Sequence, residues 1–88
     1  MTAPAITVYL AGWCPYCQRA RQQLTNKGVV FSEIDVDADA AFRREMIARS
    51  GRRTVPQIFI GERHVGGCDD LFALDGSGEL DRLIQGAS

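Results

Sequence analysis

The sequence predicts an α/β fold built on one four-stranded mixed sheet with helices on both faces. Three observations lead there. Short runs rich in β-branched and aromatic residues alternate with segments whose apolar residues recur at helical spacing. Glycines and prolines punctuate the junctions between them. The third and fourth short runs are joined by Gly61-Glu62 alone, which reads as a hairpin. A chain of 88 residues has room for one small core, so a single domain over residues 1–88 is expected.

Each element follows from its residues. Ala5-Ile6-Thr7-Val8-Tyr9-Leu10 is nearly continuous in apolar residues, as in a strand covered on both faces. Gly12 and Pro15 bracket a turn. A helix then runs from Tyr16 to about Asn26, with Cys17, Ala20 and Leu24 on its inner side. Pro15 suits the first turn of that helix, where its missing N–H is no loss, and Lys27 and Gly28 suit its end. Val29 to Val36 reads as a second strand. Asp37 or Asp39 can cap a second helix, Ala40 to Ser50, whose stripe is Phe42, Met46 and Ile47. Gln57-Ile58-Phe59-Ile60 and Arg63-His64-Val65-Gly66 form the hairpin. Asp69 and Asp70 open a last helical stretch, placing acid at its positive end. Gly76-Ser77-Gly78 interrupts that stretch before Leu80, Leu83 and Ile84.

Composition narrows the function. Apolar residues make up 45% and charged residues 24%, which is ordinary for a globular chain and excludes a disordered tail or low-complexity linker. The net charge of −1 predicts neither a nucleic-acid nor a membrane-surface partner. No run approaches the roughly 18 apolar residues of a membrane span. Met1-Thr2-Ala3-Pro4 shows no charged region leading into an apolar one, so no secretory signal is expected. The three cysteines, Cys14, Cys17 and Cys68, are an odd number, which argues against a secreted disulfide framework. Together these points place the chain in a reducing compartment, the cytoplasm.

In that setting a Cys-x-x-Cys pair is catalytic or metal-binding more often than structural. Cys14 falls between a strand and a helix, where free backbone N–H groups and the helix dipole favour a thiolate, the reactive form of a thiol. Cys17 lies one turn on, and the two sulfurs can close and reopen a disulfide ring by exchange. The more N-terminal and more exposed Cys14 is expected to attack, and Cys17 to resolve. Two other readings use the same residues: inert buried thiols, or zinc held by Cys14, Cys17, His64 and Cys68. The Gly66-Gly67 break between His64 and Cys68, and the position of that pair across a strand and a helix start, weigh against zinc.

Three motifs in order, Cys14-Pro15-Tyr16-Cys17, Thr54-Val55-Pro56-Gln57-Ile58-Phe59-Ile60 and Gly66-Gly67-Cys68-Asp69-Asp70-Leu71, resemble a dithiol glutaredoxin of the short bacterial type. The resemblance runs from Ile6 to about Leu83. It implies a thioredoxin fold with sheet order 2-1-3-4. It also implies a glutathione-dependent thiol–disulfide oxidoreductase that reduces glutathione mixed disulfides and protein disulfides. Glutathione is then the electron donor, with no metal and no tightly bound cofactor. The partners are glutathione and glutathionylated or disulfide-containing proteins, and the protein acts as a monomer.

The family's glutathione site carries over residue by residue. Pro56 takes the place of the cis-proline facing Cys14. Val55, after Thr54, offers its backbone N–H and C=O to the cysteinyl part of glutathione, in the manner of an added strand. Thr54 and Val55 would also serve simply as β-formers. The N–H groups of Cys68 and Asp69, after Gly67, suit the γ-glutamyl carboxylate, and Asp69 or Asp70 suits the ammonium. Both acids would equally cap a helix. Cys68 contributes its backbone only. Arg43 matches the position of a Gln or Arg near the glycine carboxylate, and Tyr16 lies where its ring can shelter the thiols. Arg52 and Arg53 add positive charge before the Thr-Val-Pro motif. Two positions depart from the family: Ala11 replaces a usual lysine, and Trp13 gives a Trp-Cys pair similar to thioredoxin. Trp13 thus favours a rival reading, a redoxin reduced by thioredoxin reductase. Another rival is a non-enzymatic iron–sulfur cluster carrier, which Pro15 weighs against.

Overall fold

In the computed structural model, which describes residues 4–86, β1 (Ile6–Leu10) is the strand around which the rest is built. The expectation about the chain's start rests on Met1–Ala3 and lies outside the described residues. β1 lies parallel to β2 (Ser32–Asp35) on one side and antiparallel to β3 (Gln57–Ile60) on the other. β3 pairs in turn with β4 (Arg63–Gly66), giving the sheet order β2-β1-β3-β4. This is the order 2-1-3-4, and the hairpin sits where the Gly61-Glu62 turn places it.

Alternation along the strands assigns the two faces. Tyr9 is fully buried, and its hydroxyl donates to Glu45 Oε2 at 2.6 Å while accepting from Arg49 Nη1 at 2.8 Å. Glu45 and Arg49 belong to α2 (Ala40–Ser50), which therefore covers that face. The Arg49 guanidinium also lies 4.1 Å from the centre of the Phe59 ring. Val8 and Ile58, paired across the strands and wholly buried, point to the opposite face. There α1 (Pro15–Asn26) packs against α3 (Cys68–Gly76). Cys17, Ala20 and Leu24 of α1, Leu71 of α3 and Leu80 of α4 (Glu79–Gln85) are all buried. Burying each large aliphatic side chain contributes about 1.5–3 kcal/mol.

The junctions follow local chemistry, with two differences from expectation. β2 is shorter than Val29–Val36: it holds only Ser32–Asp35, and Val30 is 94% exposed, because only the strand's register with β1 secures backbone pairing. Of the α2 stripe, Met46 is fully buried and Ile47 packs against the core, but Phe42, in the first turn, is 39% exposed. Asp39, not Asp37, caps α2, accepting from the Ala41 N–H at 2.8 Å. Lys27 is the C-cap of α1; its ammonium reaches Asp75 at 2.6 Å and Asp81 at 3.0 Å, tying that end to α3 and α4.

Candidate active site

The strand-to-helix turn after β1 sets Cys14 as the N-cap of α1. Its backbone is extended, and its Sγ accepts the N–H of Cys17 at 3.4 Å. That N–H is one of the orphan donors at the helix start, and a hydrogen bond from it is stronger to a thiolate than to a thiol. No acidic residue stands in the first turn of α1 to oppose a negative sulfur. The Sγ also approaches the Val55 carbonyl at 3.7 Å, to which the thiol form donates. Cys14 is 3% exposed, against the expectation of an exposed thiol. It lines a cavity of about 330 Å³ together with Trp13, Tyr16 and Arg43. Access comes through the cavity and not across an open surface.

Cys17 is wholly buried one turn below. Loss of solvent pushes its thiol up to about 12, and the neighbouring Cys14 adds to the rise, while the Ala11 backbone opposes it. Two adjacent thiols cannot both ionise cheaply, so burial keeps the proton on Cys17. Ala11, where the family's lysine is missing, is fully buried, and its carbonyl accepts the Cys14 N–H at 3.2 Å.

Val55 faces Cys14, and the Val55–Pro56 peptide bond is cis, as the resemblance implied. A second groove, about 230 Å³, continues from this point. Tyr16, Thr54, Val55 and Pro56 form one wall, and Gly67, Cys68, Asp69 and Asp70 at the start of α3 form the other. The glutathione-site residues read from the sequence thus fall on two adjoining cavities that share Tyr16, Thr54 and Val55. Arg43 belongs to the cavity holding Cys14.

The start of α3 is built to hold its own shape. Asp70 reaches back so that its Oδ2 accepts the Gly67 N–H at 2.9 Å, and Arg52 Nη1 lies 3.1 Å from the same oxygen. These partners, the backbone N–H first, lower the Asp70 carboxyl below its usual value. Gly66 has φ +118°, and a Cβ there would collide with the Asp70 carboxylate, so only glycine fits. Asp69 lines the groove beside it. Cys68 is buried, which raises its thiol pKa and leaves it protonated at neutral pH.

Two residues of the site went unmarked in the sequence. Gln57, 1% exposed, donates its amide to the Thr54 carbonyl at 2.9 Å and to its Oγ1 at 3.2 Å. With that amide committed, Gln57 Oε1 faces His64 Nε2 at 2.7 Å, which fixes the imidazole as the donor. A lone amide in an otherwise apolar strand was the available signal. The other is Asp37, whose Oδ2 accepts the Trp13 indole N–H at 2.8 Å and whose Oδ1 holds Arg43 Nη2 at 2.8 Å. Among the described residues no three His, Cys, Asp or Glu side chains cluster as metal donors. No helix among them is long and apolar enough to cross a membrane.

Comparison with known proteins agrees with this geometry. The glutaredoxin family model matches residues 6–65. Glutaredoxin 3 of Escherichia coli strain K12 is 56% identical over 80 residues, 91% of this chain and 96% of that protein. The solution structure of glutaredoxin from Brucella melitensis superposes with a TM-score of 0.86 at 49% identity, covering all of this chain and 96% of that one. The buckwheat glutaredoxin–glutathione complex gives a TM-score of 0.84 at 28% identity over 92% of this chain and 76% of that one. With its thioredoxin fold and paired thiols, the chain belongs to the glutaredoxin family of glutathione-dependent thiol–disulfide oxidoreductases.

Proposed function

We propose that Cys14 is the nucleophile, Cys17 the resolving thiol, and the two adjoining cavities the seat of one glutathione moiety. The observation that carries this is the Cys14 sulfur capping α1 beside Val55, which both cavities share and which the cis bond joins to Pro56. In this reading the Cys14 thiolate attacks the glutathione sulfur of a glutathionylated protein. The protein thiolate leaves and takes up a proton, and a Cys14–glutathione disulfide remains. A second glutathione thiolate attacks the glutathionyl sulfur, releasing glutathione disulfide and restoring the Cys14 thiolate.

For a protein disulfide, Cys14 attacks one sulfur and forms a mixed disulfide with the protein. Cys17 then loses its proton, attacks the Cys14 sulfur, and frees the second protein thiol. Two glutathiones reduce the resulting Cys14–Cys17 disulfide in sequence. Burial and the neighbouring Cys14 hold the proton on Cys17, and a mixed disulfide at Cys14 removes the second of these, so Cys17 ionises more readily once a disulfide forms above it.

Binding follows the same division. Val55's backbone takes the cysteinyl part, as an edge strand would. The N-terminal N–H groups of α3 at Cys68 and Asp69, after Gly67, take the γ-glutamyl carboxylate. Asp69, with no ion pair among the described residues, takes the ammonium together with Asp70. Arg43 meets the glycine carboxylate, Tyr16 covers the disulfide, and Thr54 holds the turn before Val55. The protein needs no resident cofactor or metal and works as a single domain and a monomer. Its three unpaired thiols fit a reducing cytoplasm, where its partners are glutathionylated and disulfide-bonded proteins.

The test is turnover of a glutathionylated peptide, coupled to glutathione reductase or, in parallel, to thioredoxin reductase. Cys14→Ser is expected to remove activity by on the order of a thousandfold or more, since the nucleophile is lost. Cys17→Ser is expected to keep mixed-disulfide reduction and lose protein-disulfide reduction. NADPH consumption with the thioredoxin reductase system alone would contradict the reading.

A further inference from the structure

Trp13 and Arg43 wall the same cavity but come from distant parts of the chain. Trp13 precedes Cys14 in the loop after β1, and Arg43 lies on α2. One carboxylate joins them: Asp37, in the turn after β2, accepts from the indole Nε1 at 2.8 Å and from Arg43 Nη2 at 2.8 Å. Neither contact is buried. The Arg43 and Asp37 side chains are 38% and 45% exposed, so the ion pair adds little to folding stability. Trp13, at 69% exposed, buries too little ring for packing to hold it. A carboxylate that uses both oxygens on two exposed residues of a reactive cavity is therefore placed for the cavity more than for the core. The two donors lower the Asp37 carboxyl below its usual value, so it stays ionised in the neutral range.

We propose that Asp37 is the positioning residue of this cavity: its two hydrogen bonds fix the Trp13 wall and aim Arg43 at the carboxylate end of the ligand. The proposal rests on the assignment of Arg43 to that carboxylate. Asp37 itself touches neither the thiols nor the ligand. Arg43 offers five N–H donors, and the one given to Asp37 leaves the others for an incoming carboxylate. An arginine anchored in this way loses less side-chain freedom when it binds, and pre-ordering of that kind shows up as affinity. The same carboxylate holds the indole in place, so the width of the cavity and the position of its cation are set together. Arg53, which also lines the cavity, has no such anchor among the described residues.

The experiment compares wild type, Asp37→Ala, Arg43→Gln and the double variant. Two glutathionylated peptides serve as substrates, one with the free glycine carboxylate and one with that carboxylate amidated. Asp37→Ala is expected to raise KM for the free-carboxylate substrate about three- to fivefold, the scale of one exposed ion pair, with kcat within about twofold of wild type. KM for the amidated substrate stays at the wild-type value. In the Arg43→Gln background the same change adds nothing further. The chain has a single tryptophan, Trp13, so its fluorescence anisotropy reports the indole bond without any ligand present. That anisotropy is expected to fall in Asp37→Ala. Unchanged or lower KM, an equal rise for both substrates, or unchanged anisotropy would each overturn the proposal. A wild-type protein without turnover on either peptide would instead overturn the assigned reaction; normal wild-type turnover with unaltered Asp37→Ala kinetics overturns only the role of Asp37.

Discussion

Two helix N-termini face the same groove, and they are finished in opposite ways. α1 is capped by a sulfur: Cys14 Sγ takes the Cys17 N–H, and its first turn carries no acid. α3 is capped by a carboxylate: Asp70 takes the Gly67 N–H, and its first turn carries both Asp69 and Asp70. The backbone supplies the same partial positive charge at both sites. In the proposed mechanism, that charge at α1 is left for the sulfur that becomes an anion during exchange. At α3 the anion is already present and fixed, and what remains is a polar rim of N–H groups and carboxylate. The difference shows how one device serves two ends of a site. On the proposed assignment, the end where charge appears and vanishes carries no fixed acid, and the end that orients the ligand carries two.

The comparison can be broken most severely at α3. Gly66→Ala places a Cβ against the Asp70 carboxylate and forces a side chain onto φ +118°. The expected cost is about 1–3 kcal/mol of stability, read by thermal unfolding, with Asp70 displaced and KM for a glutathionylated peptide raised several-fold. Wild-type stability and KM in this variant would mean that the α3 start is not held by its own cap.

Asp70→Asn is milder. It weakens the bonds to Gly67 and Arg52 and is expected to cost about 1 kcal/mol, the usual size of a cap. Its pH dependence carries a sign. The folded Asp70 pKa lies below the ordinary value of 3.8, so its stabilisation is present above pH 3.8 and disappears as pH falls through the lowered value. Acid unfolding curves for wild type and Asp70→Asn should therefore converge below that point and separate above it.

A smaller change sharpens the α1 half. Gln18→Asp puts an acid in the first turn of α1, close to the Cys14 cap. Alkylation of Cys14 at neutral pH is expected to slow by roughly threefold, the size of a water-screened charge interaction across a helical turn. An unaltered rate would show that the missing acids at α1 have no electrostatic purpose.

The smallest effect at neutral pH concerns Cys17. Its folded pKa, about 12, exceeds the ordinary value of 9.0, so the protonated thiol's contribution is whole below pH 9.0 and is lost as pH rises toward 12. Cys17→Ala should remove that alkaline loss while leaving the pH 7 unfolding curve little changed by titration. Chemical denaturation between pH 8 and 12 reads the difference.

Most of the fold was legible because its signals are local. Gly28, Gly51 and Gly78, all at positive φ, stand at helix ends or starts where the sequence placed breaks. Cys14 could be set at a helix start from the strand before it and Pro15 after it. What escaped depends on partners far along the chain. The cavity around Cys14 is closed by residues on α2 and before β3 as well as by its own neighbours. Asp37 looked like one of two candidate caps; that Asp39 does the capping, freeing Asp37 for Trp13 and Arg43, is decided only when β1 and α2 are brought together. The inward turn of Gln57 likewise needs His64 across the hairpin. The cis state of Pro56 came from resemblance to a family, since X-Pro bonds are cis only about 5–6% of the time in folded proteins.

The assignment of work between the two thiols at the start of α1 is tested most directly by trapping. Cys17→Ser, incubated with glutathione disulfide and acid-quenched, is digested and analysed by mass spectrometry. The account predicts a single glutathionyl adduct, on Cys14. An adduct on Cys68, or none on Cys14, would contradict it.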